Sequence, residues 1–144
     1  MKVLVAPDSF KECLSAKEVA KHISKGILSV SPDAEVCQIP ISDGGEGLLD
    51  ALMQGIGGVL NPAMVKDPLL RDIQANFGIL KDGTAVIEMA KASGLELLSD
   101  VEKNPMITST FGTGELIKAA LNKGCKEILI GIGGRATNDA GAGM

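Results

Sequence analysis

The sequence predicts an α/β fold in which parallel, Rossmann- or flavodoxin-like βα units are followed by a second α/β subdomain that contains antiparallel strands. Three observations predict it. Apolar runs at 2–6 and 34–41 alternate with helical stretches at 16–29 and from 48 onward, the pattern of strands joined by crossover helices. From Gly57 the grammar changes: GVLNPAMVKD, RDIQANFGIL and TAVIEMA read as strands joined by short connections, with Lys81-Asp82-Gly83 as a hairpin turn. Glycine is also abundant, 18 of 144 residues against a usual share of about 7%, so backbone shape counts for more here than large side chains. The expected division is 1–57 and 58–144.

The elements follow in order. KVLVA (2–6) is an apolar run closed by Pro7 and predicts a buried strand. Ser15 and Glu18 form a capping box, and Ala16, Val19, Ile23 and Ile27 recur at helical spacing behind it. His22, the single histidine, falls on the polar face with Glu18 and Lys25. AEVCQIPI (34–41) is the second strand. Asp43 and Glu46 are spaced as another capping box, ahead of a helix carrying Leu48, Leu49, Leu52 and Met53 that dissolves at 55–58. After the antiparallel stretch, ASGLELL is a short helical or irregular piece. Leu116, Ile117, Ala120 and Leu121 form the stripe of a further helix, with Gly124 at its C-cap. ILI then predicts a buried strand before the glycine-rich GIGGRATNDAGAGM (131–144).

Composition removes several functions. Three Phe with no Trp or Tyr leave no stacking platform for single-stranded nucleic acid, and a net charge of −4 does not suit a phosphate backbone. Cys13, Cys37 and Cys125 lack the spacing of a zinc site or a disulfide framework. No signal peptide and no membrane-length apolar run is read, so the expected location is the cytoplasm, with no membrane or nucleic-acid partner.

Four polar clusters lie in loops beside these elements: Asp8-Ser9-Phe10-Lys11, Asp43-Gly44-Gly45-Glu46-Gly47, Thr108 to Gly114, and Gly131 to Gly143. Three of them follow strands, where open α/β sheets bind ligands. Two of them open helices, whose free N–H groups suit an anion. Each also has a plain structural reading: Asp43 as an N-cap, the glycines as tight turns, Thr113 as a helix cap, Lys11 as a loop charge. Gly131, Gly133 and Ala136 match G-x-G-x-x-A, the weaker dinucleotide fingerprint, yet TNDAGAG is a poor helix opening. No Gly-Lys-Ser/Thr occurs, which rules out a Walker loop. Asp8, Asp43, Glu46 and Asp139 are candidate Mg²⁺ carboxylates.

APDSFKECLSAKEVA, SDGGEG, AVIEMAKASGLELL, TSTFGTGELIKAAL and GIGGRATNDAGAGM resemble, in order, the stretches APDSFKESLSA, ADGGEG, AVIEMAAASGLEL, TTTYGTGELI and GIGGSATNDGGAGM of the bacterial glycerate kinases unrelated to P-loop kinases. The resemblance covers the whole chain. It implies ATP-dependent phosphorylation of glycerate at the 2-hydroxyl to give 2-phosphoglycerate, with Mg²⁺, in a two-domain α/β protein with one domain inserted in the other. Family members are more than twice as long, so the chain is expected to be an N-terminal portion, incomplete relative to the family; a homo-oligomer is possible.

On the matching positions, phosphoryl transfer calls for positioning and charge neutralisation. Asp8 or Asp43 would orient the hydroxyl or hold Mg²⁺, with Asp43 and Asp139 as the metal candidates, and Lys11 would steady a carboxylate or phosphate. The substrate- and nucleotide-binding candidates are Ser9, Gly44, Gly45, Glu46, Gly112, Thr113, Gly114, Gly133, Gly134, Arg135, Thr137, Asn138 and Asp139. Two positions depart from the family motif. Arg135 replaces serine and is a candidate phosphate contact, and Ala140 replaces a glycine and would resist a positive φ. The alternatives are a nicotinamide-dependent oxidoreductase and a catalytically inert ligand-binding fragment.

Overall fold

The structure is a computed structural model and describes residues 1–10 and 13–144; the expectation placed on Lys11 lies outside the described residues. Strand β1 (Lys2–Val5), helix α1 (Ala16–Val30), strand β2 (Glu35–Gln38) and helix α2 (Leu48–Gly55) come first. Strands β3 (Gly58–Lys66), β4 (Asp72–Leu80) and β5 (Ala85–Glu88), helices α3 (Ala90–Ser93) and α4 (Phe111–Asn122), and strand β6 (Ile128–Gly131) follow. β1 and β2 pair in parallel. The other strands form a mixed sheet in the order β3-β4-β5-β6, antiparallel as far as β5 and parallel between β5 and β6. The change from βα to antiparallel grammar is therefore present, and β3 starts at Gly58.

Local chemistry explains most of the elements. Ser15 Oγ accepts from Glu18 N at 3.3 Å and the Glu18 carboxylate accepts from Ser15 N at 3.0 Å, the reciprocal box that starts α1. His22 is on the exposed side. The buried face of α1 is Ala16, Val19, Ala20 and Ser24, so Ile23 is displaced from the expected stripe and is 43% exposed. The Asp82-Gly83 turn joins β4 to β5 as expected: Gly83 has φ +89° and Thr84 N donates to Asp82 Oδ1 at 2.9 Å.

The main core lies between the mixed sheet and α4, where Val65, Phe77, Ile87, Leu116, Ala120 and Cys125 pack together. β5 is buried on both faces. Its Ala85 and Ile87 join the α4 side, and Glu88 faces α2. On that second face Gly78 of β4 lets α2 approach; a Cβ there would meet Met53 Cε at 2.7 Å and Leu49 Cδ1 at 2.8 Å. So α2, which precedes the expected boundary at 57, packs on the mixed sheet.

Two strands expected to be buried are not. In β1 only Val5 is buried and Leu4 is 63% exposed, because a two-stranded sheet packed on a single helix leaves its other face open. β6 is the outer strand of its sheet, so Leu129 is half exposed between Ile128 and Ile130. Among the described residues no helix is long and apolar enough to cross a membrane.

Candidate active site: four loops meet around two helix ends

The loops singled out by sequence come together. Gly133 N donates to Gly44 O at 3.1 Å, and a Cβ on Gly133 would lie 2.4 Å from Gly45 Cα, so the second and fourth clusters pack glycine against glycine. Thr108 Oγ1 donates to Ala136 O at 2.9 Å, and Asp139 Oδ2 accepts from Thr110 N and Thr110 Oγ1, both at 2.8 Å, which joins the third cluster to the fourth. Ser9 of the first cluster shares a cavity of about 130 Å³ with Glu46, Gly47 and Lys91. Asp8 Oδ1 is held by Ser9 N at 2.7 Å.

The helix ends are filled by the protein's own carboxylates. Asp43 and Glu46 do not form the expected capping box. Gly47, at φ +84°, is the N-cap of α2 and has no side chain to cap with. The exposed N–H groups of that end instead go to Glu88, wholly buried, whose oxygens accept from Gly47 N at 3.1 Å and Leu49 N at 3.0 Å. Lys91 Nζ stands 3.6 Å away as counter-charge. Gly44 N and Gly45 N, expected to cradle an anion, bond to Ser42 Oγ and Asp43 Oδ1 of their own loop.

At α4 the arrangement repeats with Asp139, which also accepts from Gly141 N at 3.1 Å and Gly143 N at 3.3 Å. Burial pushes its carboxyl up, and the bonds from Thr110, Gly141 and Gly143 outweigh this and hold it below the usual aspartate range. Both of its oxygens are thereby engaged. Thr113 does not cap the helix: it is fully buried and its hydroxyl bonds to Ser93 Oγ at 2.7 Å. Gly112 is a packing glycine, since a Cβ there would overlap Lys66 O. Gly114 lies under the backbone of Met144. Gly134 bends at φ +71° and its carbonyl accepts from Leu95 N.

A cavity of about 300 Å³ is lined by Thr110, Arg135, Thr137, Asn138, Asp139 and Ala140, among others. Arg135 is exposed, with Nη1 donating to Ile132 O at 3.3 Å. Ala140 does adopt a positive φ, +52°, a conformation costing roughly 1–2 kcal/mol for a residue with a Cβ. After Gly131 the chain runs through turns with no helix, so the strand–glycine–helix geometry of a dinucleotide fingerprint is not formed among the described residues.

Sequence reasoning missed Glu88, Lys91 and Asp67. Glu88 was visible as a charge inside the apolar strand AVIEM, and a charge in a buried run is the informative anomaly. Asp67, also buried, accepts from Leu69 N, Arg71 N and the Arg71 guanidinium, and shapes the β3–β4 turn whose Pro68 O accepts from Ser109 N.

The loops gathered at these helix ends define an α/β chain with a shared loop cluster, and the comparisons with known proteins fix its family. The glycerate kinase family matches residues 3–144, and the chain belongs to it. It is 52% identical over 145 aligned positions to a glycerate kinase of Bacillus subtilis (strain 168) and 51% identical to a glycerate 2-kinase of Escherichia coli (strain K12). Each alignment covers all of this chain and 38% of the relative, so the chain spans 38% of the length of these curated relatives. A crystal structure from Salmonella typhimurium LT2, of a protein assigned as glycerate kinase 2, superposes with a TM-score of 0.79 at 47% identity, covering 100% of this chain and 39% of that one.

Proposed function

We propose that the chain forms part of an enzyme that transfers the terminal phosphoryl group of ATP to the 2-hydroxyl of glycerate, giving 2-phosphoglycerate. The observation that carries this is the meeting of three of the family-like stretches at one place, with Gly44 and Gly45 against Gly133 and Asp139 on the α4 end. Phosphoryl transfer asks a protein mainly to position two anionic reactants and balance their charge, and interlocked glycine loops supply the rigid positioning.

In this reading the 1–57 and 58–144 parts are two units joined by α2, and reactants sit along the loops between them. Asp8 and Asp43 orient the acceptor hydroxyl. Asp43 is the carboxylate that suits Mg²⁺: Oδ1 holds Gly45 N and Oδ2 has no partner among the described residues. Asp139, with both oxygens engaged, suits it less. No group of three or more His, Cys, Asp or Glu gathers among the described residues, which is compatible with a metal held by one carboxylate and phosphate oxygens. Mg²⁺ there would neutralise charge on the nucleotide phosphates.

The test is a coupled assay of the full natural protein with D-glycerate and ATP, resolving 2- from 3-phosphoglycerate. We expect the 2-phospho product and its loss in Asp43→Asn; a rate no higher than the enzyme-free control sinks the reading.

A further inference from the structure

We propose that the cavity beside Arg135 and Thr137 is an oxyanion subsite, in which Thr137 Oγ1 donates a hydrogen bond to, and the Arg135 guanidinium pairs with, a carboxylate or phosphate. It rests on the kinase reading only for the probes it suggests, the carboxylate of a hydroxy acid and the terminal phosphate of a nucleotide.

The decisive atom is Thr137 Oγ1. Thr137 is 7% exposed and lines the 300 Å³ cavity, and its hydroxyl has no hydrogen-bond partner among the described residues. Native proteins leave few buried polar groups unpaired, and those they do leave call for an explanation. The neighbouring hydroxyls are all satisfied: Thr108 by Ala136 O, Thr110 by Asp139, Thr113 by Ser93. Among the buried side chains of the described residues the unused capacity is therefore confined to the Thr137 hydroxyl, and Thr137 is one of the residues that line the cavity.

Charge and size define the ligand. Arg135 is a cation lining the same cavity, and among the described residues it pairs with no carboxylate; its bond is to the Ile132 carbonyl. Asp139 also lines the cavity, but its two oxygens are engaged by Thr110, Gly141 and Gly143, which offsets its charge toward an incoming anion. A volume of about 300 Å³ is at the lower end for ligand cavities and suits a small acid or a single phosphate group.

Binding of D-glycerate, inorganic phosphate and a non-hydrolysable ATP analogue to the full natural protein, followed by calorimetry, tests the proposal. Thr137→Val keeps the shape and removes the hydroxyl. It should raise the melting temperature of the ligand-free protein, by deleting an unpaired buried group, while weakening binding about 10–100-fold, the range of a hydrogen bond to a charged acceptor. Arg135→Ser, at an exposed position, should weaken binding several-fold and flatten its salt dependence. Whichever probe loses affinity identifies the oxyanion. If Thr137→Val folds poorly, Thr137→Ser should retain binding and Arg135→Ser still reports. Wild-type affinity for all three probes in both Thr137→Val and Arg135→Ser overturns the subsite, as does a wild-type protein that binds none of them. A protein that binds through Thr137 and yet does not phosphorylate glycerate keeps the subsite and loses the kinase reading; turnover with wild-type affinity in both variants does the reverse.

Discussion

The starts of α2 and α4 are the same physical object and are used differently. Each exposes backbone N–H groups and the positive end of a helix, and each receives a carboxylate from a distant part of the chain. At α2 the carboxylate is Glu88, wholly buried, with Lys91 beside it, and the glycine loop in front is locked by its own side chains. At α4 it is Asp139, part-exposed, and the loop that carries it opens onto a cavity with one unpaired hydroxyl. The lesson is that a helix end is not free for a ligand merely because it is glycine-rich. The α2 end is built for stability, and the α4 end holds a loop in a shape that leaves binding capacity over.

If that contrast is right, Glu88→Ala is the most damaging change. It strands the buried Leu49 N–H and the part-buried Gly47 N–H, and should cost about 2–4 kcal/mol, read as a lower urea midpoint; a loss under about 1 kcal/mol would show that the α2 end does not depend on it. Asp139→Asn keeps the side-chain shape and should cost about 1–2 kcal/mol, with faster amide exchange at Gly141 and Gly143. Its folded pKa is lowered, so its contribution is complete above the unfolded value, about 3.9, and is lost as pH falls through the folded value. Asp139→Asn should therefore flatten the acid limb of the stability profile, leaving the share of Asp67, whose pKa is likewise lowered: burial raises it, and the bonds from Arg71 and Leu69 outweigh that. The smallest effect is Ala140→Gly. Relief at φ +52°, less the entropy gained by the unfolded chain, should stabilise by about 0.5–1 kcal/mol, raising the melting temperature by a few degrees. No change would mean that the loop around Asp139 is not held in this shape.

Much of the fold was legible because it is specified locally. Ser15 and Glu18 are three residues apart, and the Asp82-Gly83 turn needs only its own residues, so pattern and structure agree. The same rule misled at Asp43 and Glu46, where the spacing was right and the bond did not form. Gly47 starts the helix later, and its N–H goes to Glu88, 41 residues away in the chain. The candidate site was legible as a set of loops. Which atoms in them remain available was not, since that depends on partners brought in from elsewhere.

The sequence by itself determined the order of elements, the change from parallel to antiparallel pairing, and the family, since each follows from neighbouring residues or from motif text. Tertiary structure decided which carboxylate fills which helix end, that Thr113 is consumed by Ser93, and that Thr137 is left over. Hydrogen-bond satisfaction is a property of the folded whole: a donor is spent or spare only once every acceptor that can reach it has been placed.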